Sequence, residues 1–191
     1  MCRPRRWGLG ILALALASCP LSAQETSFGG QLTVSLPAGE LGSRNWLQHR
    51  VGAGAGLHAL VGLEDGYALV PRLDYTSYEK KPVKVQTFQL GADLDYFFSA
   101  RVNEGPYLGG GLLFSAARFD LTGDAGSAQG TPKAPGAAFI AGWMFTHHFG
   151  AEWRWGWTKF KTNLDGAVPP GYPQQAMIGA QTMNASFICR F

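Results

Sequence analysis

Between Ala151 and Thr158 the chain reads AEWRWGWT. Ala151, Trp153, Trp155 and Trp157 fall on one parity; Glu152, Arg154, Gly156 and Thr158 fall on the other. This is the period of a β-strand, whose successive side chains point to opposite faces. A soluble protein would not show three tryptophans to water, and it would seldom bury a glutamate and an arginine behind them. Both faces are accounted for if the indoles meet hydrocarbon and the charges meet a polar interior. A sheet placed in hydrocarbon must close on itself, because nothing there can pair with an open edge.

Seven further stretches read as strands, six of them with the same alternation. In residues 28–36, Phe28, Gly30, Leu32, Val34 and Leu36 oppose Gln31, Thr33 and Ser35. In 50–62, Val51, Ala53, Ala55, Leu57, Ala59 and Val61 oppose Gly52, Gly54, Gly56 and His58. In 67–77, Tyr67, Leu69, Leu73 and Tyr75 oppose Arg72, Asp74 and Thr76; Pro71 cannot donate to a ladder and predicts a bulge or local break. In 85–98, Phe88, Leu90, Ala92, Leu94, Tyr96 and Phe98 oppose Gln89, Gly91, Asp93 and Asp95. The stretch 106–119 is apolar on both parities, so its facing stays open, while 136–146 puts Phe139, Ala141, Trp143 and Phe145 on one face. In 175–191, Met183, Ala185, Phe187, Cys189 and Phe191 oppose Thr182, Asn184, Ser186, Ile188 and Arg190.

These runs of about 9–14 residues suit tilted strands crossing a bilayer. The expected fold is all-β: an eight-stranded, antiparallel, up-and-down transmembrane barrel over residues 24–191. The connections alternate in length. Asp65-Gly66 marks a tight turn, as does His147-His148-Phe149-Gly150. Longer polar connections are expected near 38–49, 78–84, 119–135 and 162–174, including the charged YEKKPVK and a Gly/Ser/Pro-rich run. An even-stranded barrel puts its long loops on one side, which here would be the outside.

The N-terminus reads as a targeting segment over residues 1–23. Arg3, Arg5 and Arg6 precede the apolar run Trp7 to Ala17, which is too short to span a bilayer as a mature helix. Cleavage after Ala23 is expected; the alternative is a lipid-bearing Cys19 in Leu16-Ala17-Ser18-Cys19. The formal charge of +3 comes entirely from those three arginines, leaving 13 basic against 13 acidic residues. That balance gives a nucleic-acid partner no electrostatic support. Cys189 is left alone, without a disulfide framework. No cofactor or metal is implied: GAGAG at Gly52 does not continue as a phosphate loop, and His147 and His148 have no third ligand at a suitable spacing.

The order of Gly-rich strands, Pro106-Tyr107-Leu108-Gly109-Gly110-Gly111, Glu152-x-Arg154 and a final Phe191 resembles the small OmpA/OmpX-type outer-membrane barrel domain. The resemblance implies residence in the bacterial outer membrane and contact with its lipids and lipopolysaccharide. It also implies handling by the barrel assembly machinery, with Phe191 as the assembly signal. A peptidoglycan-tethering domain is not implied, and a monomer is expected. The expected lumen is an ionic cluster of Arg72, Asp74, Asp93, Asp95, Glu152 and Arg154, paired because unpaired charges would be costly there. Trp153, Trp155, Trp157 and Phe187 are expected to face lipid. The function expected is non-enzymatic, with a charge-plugged lumen and a structural or surface-interaction role through the outer loops. A small porin-like channel is the alternative. A lipid A-modifying enzyme has only Ser43, His49 and Glu40 in the first loop to draw on, without a strand-held pair.

Overall fold

The computed structural model describes residues 25–99, 101–123, 126–169 and 171–191. The expected targeting segment, with Ala23 and Cys19, lies outside these residues. Ten strands follow in order: β1 (Thr26–Gly39), β2 (Gly52–Gly62), β3 (Tyr67–Lys80), β4 (Val83–Phe97), β5 (Gly105–Gly123), β6 (Gly126–Gly130), β7 (Lys133–Met144), β8 (Phe149–Asn163), β9 (Asp165–Gly166) and β10 (Gln175–Arg190). Eight of them close an antiparallel ring, β1-β2-β3-β4-β5-β7-β8-β10 and back to β1. The closing ladder runs through Leu32↔Phe187. It ends in paired backbone bonds, Phe28 N–H to the Phe191 carbonyl at 3.0 Å and Phe191 N–H to the Phe28 carbonyl at 2.8 Å.

Three short connections lie at one end of the ring, which we call the turn end: residues 63–66, 98–104 and 145–148. In the first, Asp65 and Gly66 take positive φ of 59° and 79°, a left-handed bend that suits Asp-Gly. The other four connections lie at the opposite, loop end.

Two of the expected loops are largely strand. YEKKPVK belongs to β3 and β4, with Glu79 paired to Lys84 and only Lys81 and Pro82 in the turn. Charge misdirects here: Glu79 and Lys84 are exposed on the outer face, while Tyr78, Val83 and Val85 are buried inside. The run 119–135 is likewise mostly strand: β5 continues to Gly123 and β6 returns along it, Phe119↔Gly130 to Gly123↔Gly126. β9 extends this sheet through Ala128↔Gly166. At Pro71 there is a break and no bulge. The β2–β3 register is the same at His58↔Arg72 and Val61↔Leu69, with unpaired positions between.

The outward face is apolar and exposed: Leu32, Leu57, Leu90, Leu94, Leu112, Phe139 and Phe187 among others. Aromatic side chains gather on it near the turn end. Tyr67 lies 4.9 Å from Tyr96 between ring centres, Tyr96 lies 5.4 Å from Phe98, and Phe149 stacks on Phe187 at 5.9 Å. The ladders also settle the facing of β5. Leu108, Leu112 and Phe114 point out; Tyr107, Leu113, Ser115 and Phe119 point in.

The interior is layered. Leu60, Val70, Phe97, Tyr107, Ile140 and Met144 pack together near the turn end. A second apolar cluster fills the loop end, where Leu41, Trp46 and Leu47 of the first loop meet Tyr78, Phe119, Phe160 and Ile178. Charged residues occupy the level between them. Inward glycines make room for these: a Cβ on Gly56, Gly109 or Gly111 would strike the carboxylate of Asp74, Asp95 or Asp93 respectively.

Candidate functional site

The charged layer is built from β3, β4 and β8. Arg72 and Asp74 take inward positions on β3, as do Asp93 and Asp95 on β4, and the ladder sets Val70 against Asp93 and Arg72 against Gly91. Arg72 therefore lies diagonally across from Asp93, within reach of its long side chain. Glu152 and Arg154 approach from β8, on the far side of a narrow interior.

The two guanidiniums join all these strands. Arg72 Nη1 donates to Glu152 Oε1 at 2.9 Å, and its Nε lies 3.2 Å from Asp93 Oδ2. Arg154 Nη1 donates to Asp74 Oδ2 at 3.1 Å, and Nη2 donates to Asp93 Oδ1 at 3.0 Å. The side chains of Arg72 and Arg154 are only 1% and 4% exposed. Neutral groups complete the network: Gln31 Nε2 donates to Asp74 Oδ1 at 2.8 Å, and the Tyr107 hydroxyl donates to Glu152 Oε2 at 2.9 Å.

The structure thus brings five of the six expected cluster residues together. Asp95 stands apart: it is buried, and among the described residues it has no ion pair and no partner for Oδ1. Alternation put Gln31 on the polar face without marking it as a member, and it left Tyr107 unphased. Nor did it identify a second polar group nearer the turn end. There Arg190, fully buried, donates from Nε to His58 Nε2 at 3.2 Å and from Nη1 to Asn103 Oδ1 at 2.9 Å. Arg190 and His58 were legible as inward by parity; Asn103 comes from a turn.

Above the charged layer lies a polar step. The Thr33 and Ser186 hydroxyls share a bond of 2.8 Å, and Ser35 bonds Tyr78 at 2.6 Å and also Asn184. The apolar cap comes next. Trp46 meets Phe119 edge-on at 5.5 Å and Tyr172 at 5.7 Å between ring centres. Burial pushes the Tyr172 phenol up from its ordinary value. The first loop is held by its backbone. Glu40 N–H donates to the Gly179 carbonyl at 3.0 Å, and Lys80 Nζ donates to the Arg44 carbonyl at 2.8 Å. Three large apolar residues in an otherwise polar loop were the available signal for this cap.

The remaining sequence candidates are placed as follows. Trp153, Trp157 and Phe187 are exposed on the outward face; Trp155 is half-buried between the other two indoles, 6.0 and 4.9 Å away. Phe191 is exposed beside Phe28. The Glu40 carboxylate accepts from the Gly179 amide, and His49 Nδ1 lies 3.2 Å from the Pro37 carbonyl. Among the described residues no hydrogen bond links Ser43, His49 and Glu40 through their side chains. What the assembled residues do chemically is hold opposite charges in fixed pairs across the lumen, between two apolar layers.

No family model and no curated protein sequence matches the chain. Solved structures do. Neisserial surface protein A is 13% identical, covers 86% of this chain and 95% of its own, and superposes with a TM-score of 0.55. Ail, the attachment invasion locus protein of Yersinia pestis, is 10% identical over 87% of this chain and 97% of its own, at 0.57. The N-terminal β-barrel domain of Pseudomonas aeruginosa OprF is 10% identical over 87% and 100%, at 0.54. At these identities the likeness establishes the fold, which is that of the small eight-stranded outer-membrane β-barrels.

Proposed function

We propose that this chain is a non-enzymatic barrel of the bacterial outer membrane, sealed along its axis, that presents its loop end outside the cell. The carrying observation is the cross-lumen lock, Arg72 to Glu152 and Arg154 to Asp74 and Asp93. An eight-stranded barrel has an interior that side chains can fill. Here charged pairs fill the middle, and Leu41, Trp46 and Leu47 close the mouth above them. Such a molecule acts through its outer wall and its canopy of loops. The exposed apolar face and its aromatic girdle support a membrane setting.

Two measurements test this reading. Fractionation should find heat-modifiable protein in the outer membrane, with Lys81 in the β3–β4 turn open to an impermeant amine reagent on intact cells. Labelling of Lys81 only after permeabilisation would reverse the orientation. Purified protein in liposomes should give no uptake of small sugars; rapid uptake by the wild type would favour a channel.

A further inference from the structure

The first loop, between Gly39 and Gly52, is bonded mainly to itself. Ser43 N–H donates to the Glu40 carbonyl at 3.1 Å, and Leu47 N–H donates to the Leu41 carbonyl at 3.2 Å. Gln48 N–H donates to the Ser43 carbonyl at 2.9 Å, and His49 N–H to the Gly42 carbonyl at 3.0 Å. Gly42 lets the loop fold back on its stem, because a Cβ there would strike the Pro37 carbonyl. A loop closed on its own bonds in this way is a compact unit that moves as one piece. Both its ends pass through left-handed backbone: Gly39 has a φ of 63° on one side, and Gln48 and His49 have 48° and 54° on the other. Glycine takes this conformation freely, whereas two successive residues with side chains hold it only where their surroundings compel them.

The loop's hold on the rest of the barrel is narrow. Among the described residues, its backbone bonds to strands other than β1 all fall on Gly179 of β10. The Gly179 carbonyl accepts from Glu40 N–H at 3.0 Å and from Leu41 N–H at 3.4 Å. The Glu40 carboxylate accepts the Gly179 N–H in return, so Glu40 clasps both polar groups of one residue. Lys80 Nζ adds an exposed bond to the Arg44 carbonyl at 2.8 Å. Everything else is apolar contact, through Leu41, Trp46 and Leu47.

What the loop covers is not a core. Beneath Tyr78 the inward positions are polar and uncharged: Thr33, Ser35, Asn184 and Ser186. Asn184 is only half-buried with the loop in place, and the buried Ser115 Oγ has no partner among the described residues. An apolar cap set directly on hydroxyls and an amide gains nothing from them in packing. The same layer suits a compartment that water enters, because buried polar groups need partners.

We propose that residues 40–50 form a hinged lid over a polar vestibule at the loop end of the lumen. The lid swings on Gly39 and on Gln48–His49, and Glu40 latches it to Gly179. Opening parts Trp46 from Phe119 and Tyr172 and uncovers the hydroxyl layer, with the charged lock as its floor. The proposal rests on the sealed lumen proposed above: it makes the upper seal movable and leaves the lower one shut.

The test places a thiol under the lid. Ser35 is fully buried and bonds Tyr78, which the lid touches. Ser35→Cys is made in the full chain with its native cysteines replaced by alanine, refolded in detergent micelles. A small cationic methanethiosulfonate reagent is the probe, and heat-modifiable migration reports the folded barrel. Labelling should be slow, and its rate should level off as reagent is raised, because opening then limits it. Glu40→Ala should raise that plateau about tenfold, and Glu40→Gln much less, since it keeps an acceptor for the Gly179 N–H. His49→Val should also raise it about tenfold, because a β-branched residue resists left-handed backbone; His49→Gly should not. Labelling that never levels off, complete protection of the thiol, or a plateau unmoved by both Glu40→Ala and His49→Val would overturn the lid. A wild-type barrel that conducts steadily would instead overturn the seal on which the lid rests.

Discussion

Arg72 and Arg154 both cross the lumen, but their loss should not cost the same. Replacing Arg72 with Ala leaves Glu152 fully buried and without a guanidinium, its remaining hydrogen bond being the Tyr107 hydroxyl at 2.9 Å. Asp93 then keeps Arg154 alone. Replacing Arg154 leaves Asp93 with Arg72 at 3.2 Å, and Asp74 with Gln31 at 2.8 Å and Arg72 at 4.0 Å. Removing one partner of a buried pair costs about 3–5 kcal/mol, chiefly through the charge left behind. Arg72→Ala therefore belongs near about 5 kcal/mol and Arg154→Ala near about 3 kcal/mol. The double change Arg72→Met with Glu152→Gln removes both charges and should recover most of the Arg72→Ala loss. Urea unfolding in lipid vesicles, followed by tryptophan fluorescence and gel migration, measures all three. Losses below about 1 kcal/mol in both single variants would mean that water screens these charges, and the dry lock would be wrong.

Three other outcomes follow from the geometry. Gly111→Ala should cost about 1–3 kcal/mol, because its Cβ would meet the Asp93 carboxylate and, at 2.9 Å, the Ala92 carbonyl. Its neighbour Gly110→Ala, with nothing nearer than 3.7 Å, should be nearly silent in the same unfolding assay. Trp155→Arg should cost about 2–4 kcal/mol in vesicles if its level is near mid-bilayer, and an unchanged midpoint would argue against a lipid-facing stripe. Trp46→Ala should remove about 3–5 kcal/mol and expose the first loop to protease, whereas a still-protected loop would mean that Trp46 is not what holds the cap.

Much of the barrel was legible because its wall separates two environments. Between Ala151 and Thr158 of β8 each tryptophan faces out and each charge faces in, so parity alone tells the faces apart there. The same logic could not phase β5, where Leu112 and Leu113 are both apolar; only its ladders to β4 and β7 turn Leu113 inward. Beyond the hydrocarbon the outer face turns polar, and only the buried inner positions, such as Tyr78, Val83 and Val85, still mark the strand. Glu79 and Lys84 then look like loop residues although they pair across a ladder. The Gly123↔Gly126 hairpin is hidden for a related reason, since its Gly/Ser composition has no apolar face. Partner identity across the lumen was the least visible feature. Parity placed Arg72, Arg190 and Asp95 inside, but which met a counter-charge depends on the stagger of strands far apart in sequence. Arg72 finds Glu152, Arg190 finds His58 and Asn103, and Asp95 finds no ion-pair partner among the described residues.

A planar-bilayer recording of the purified wild-type protein tests the sealed lumen most directly. The lock and the cap predict a baseline without steady conductance steps, and the variant combining Arg72→Ala with Trp46→Ala should introduce them. A wild-type barrel that conducts as a sustained, ohmic open pore would contradict the seal.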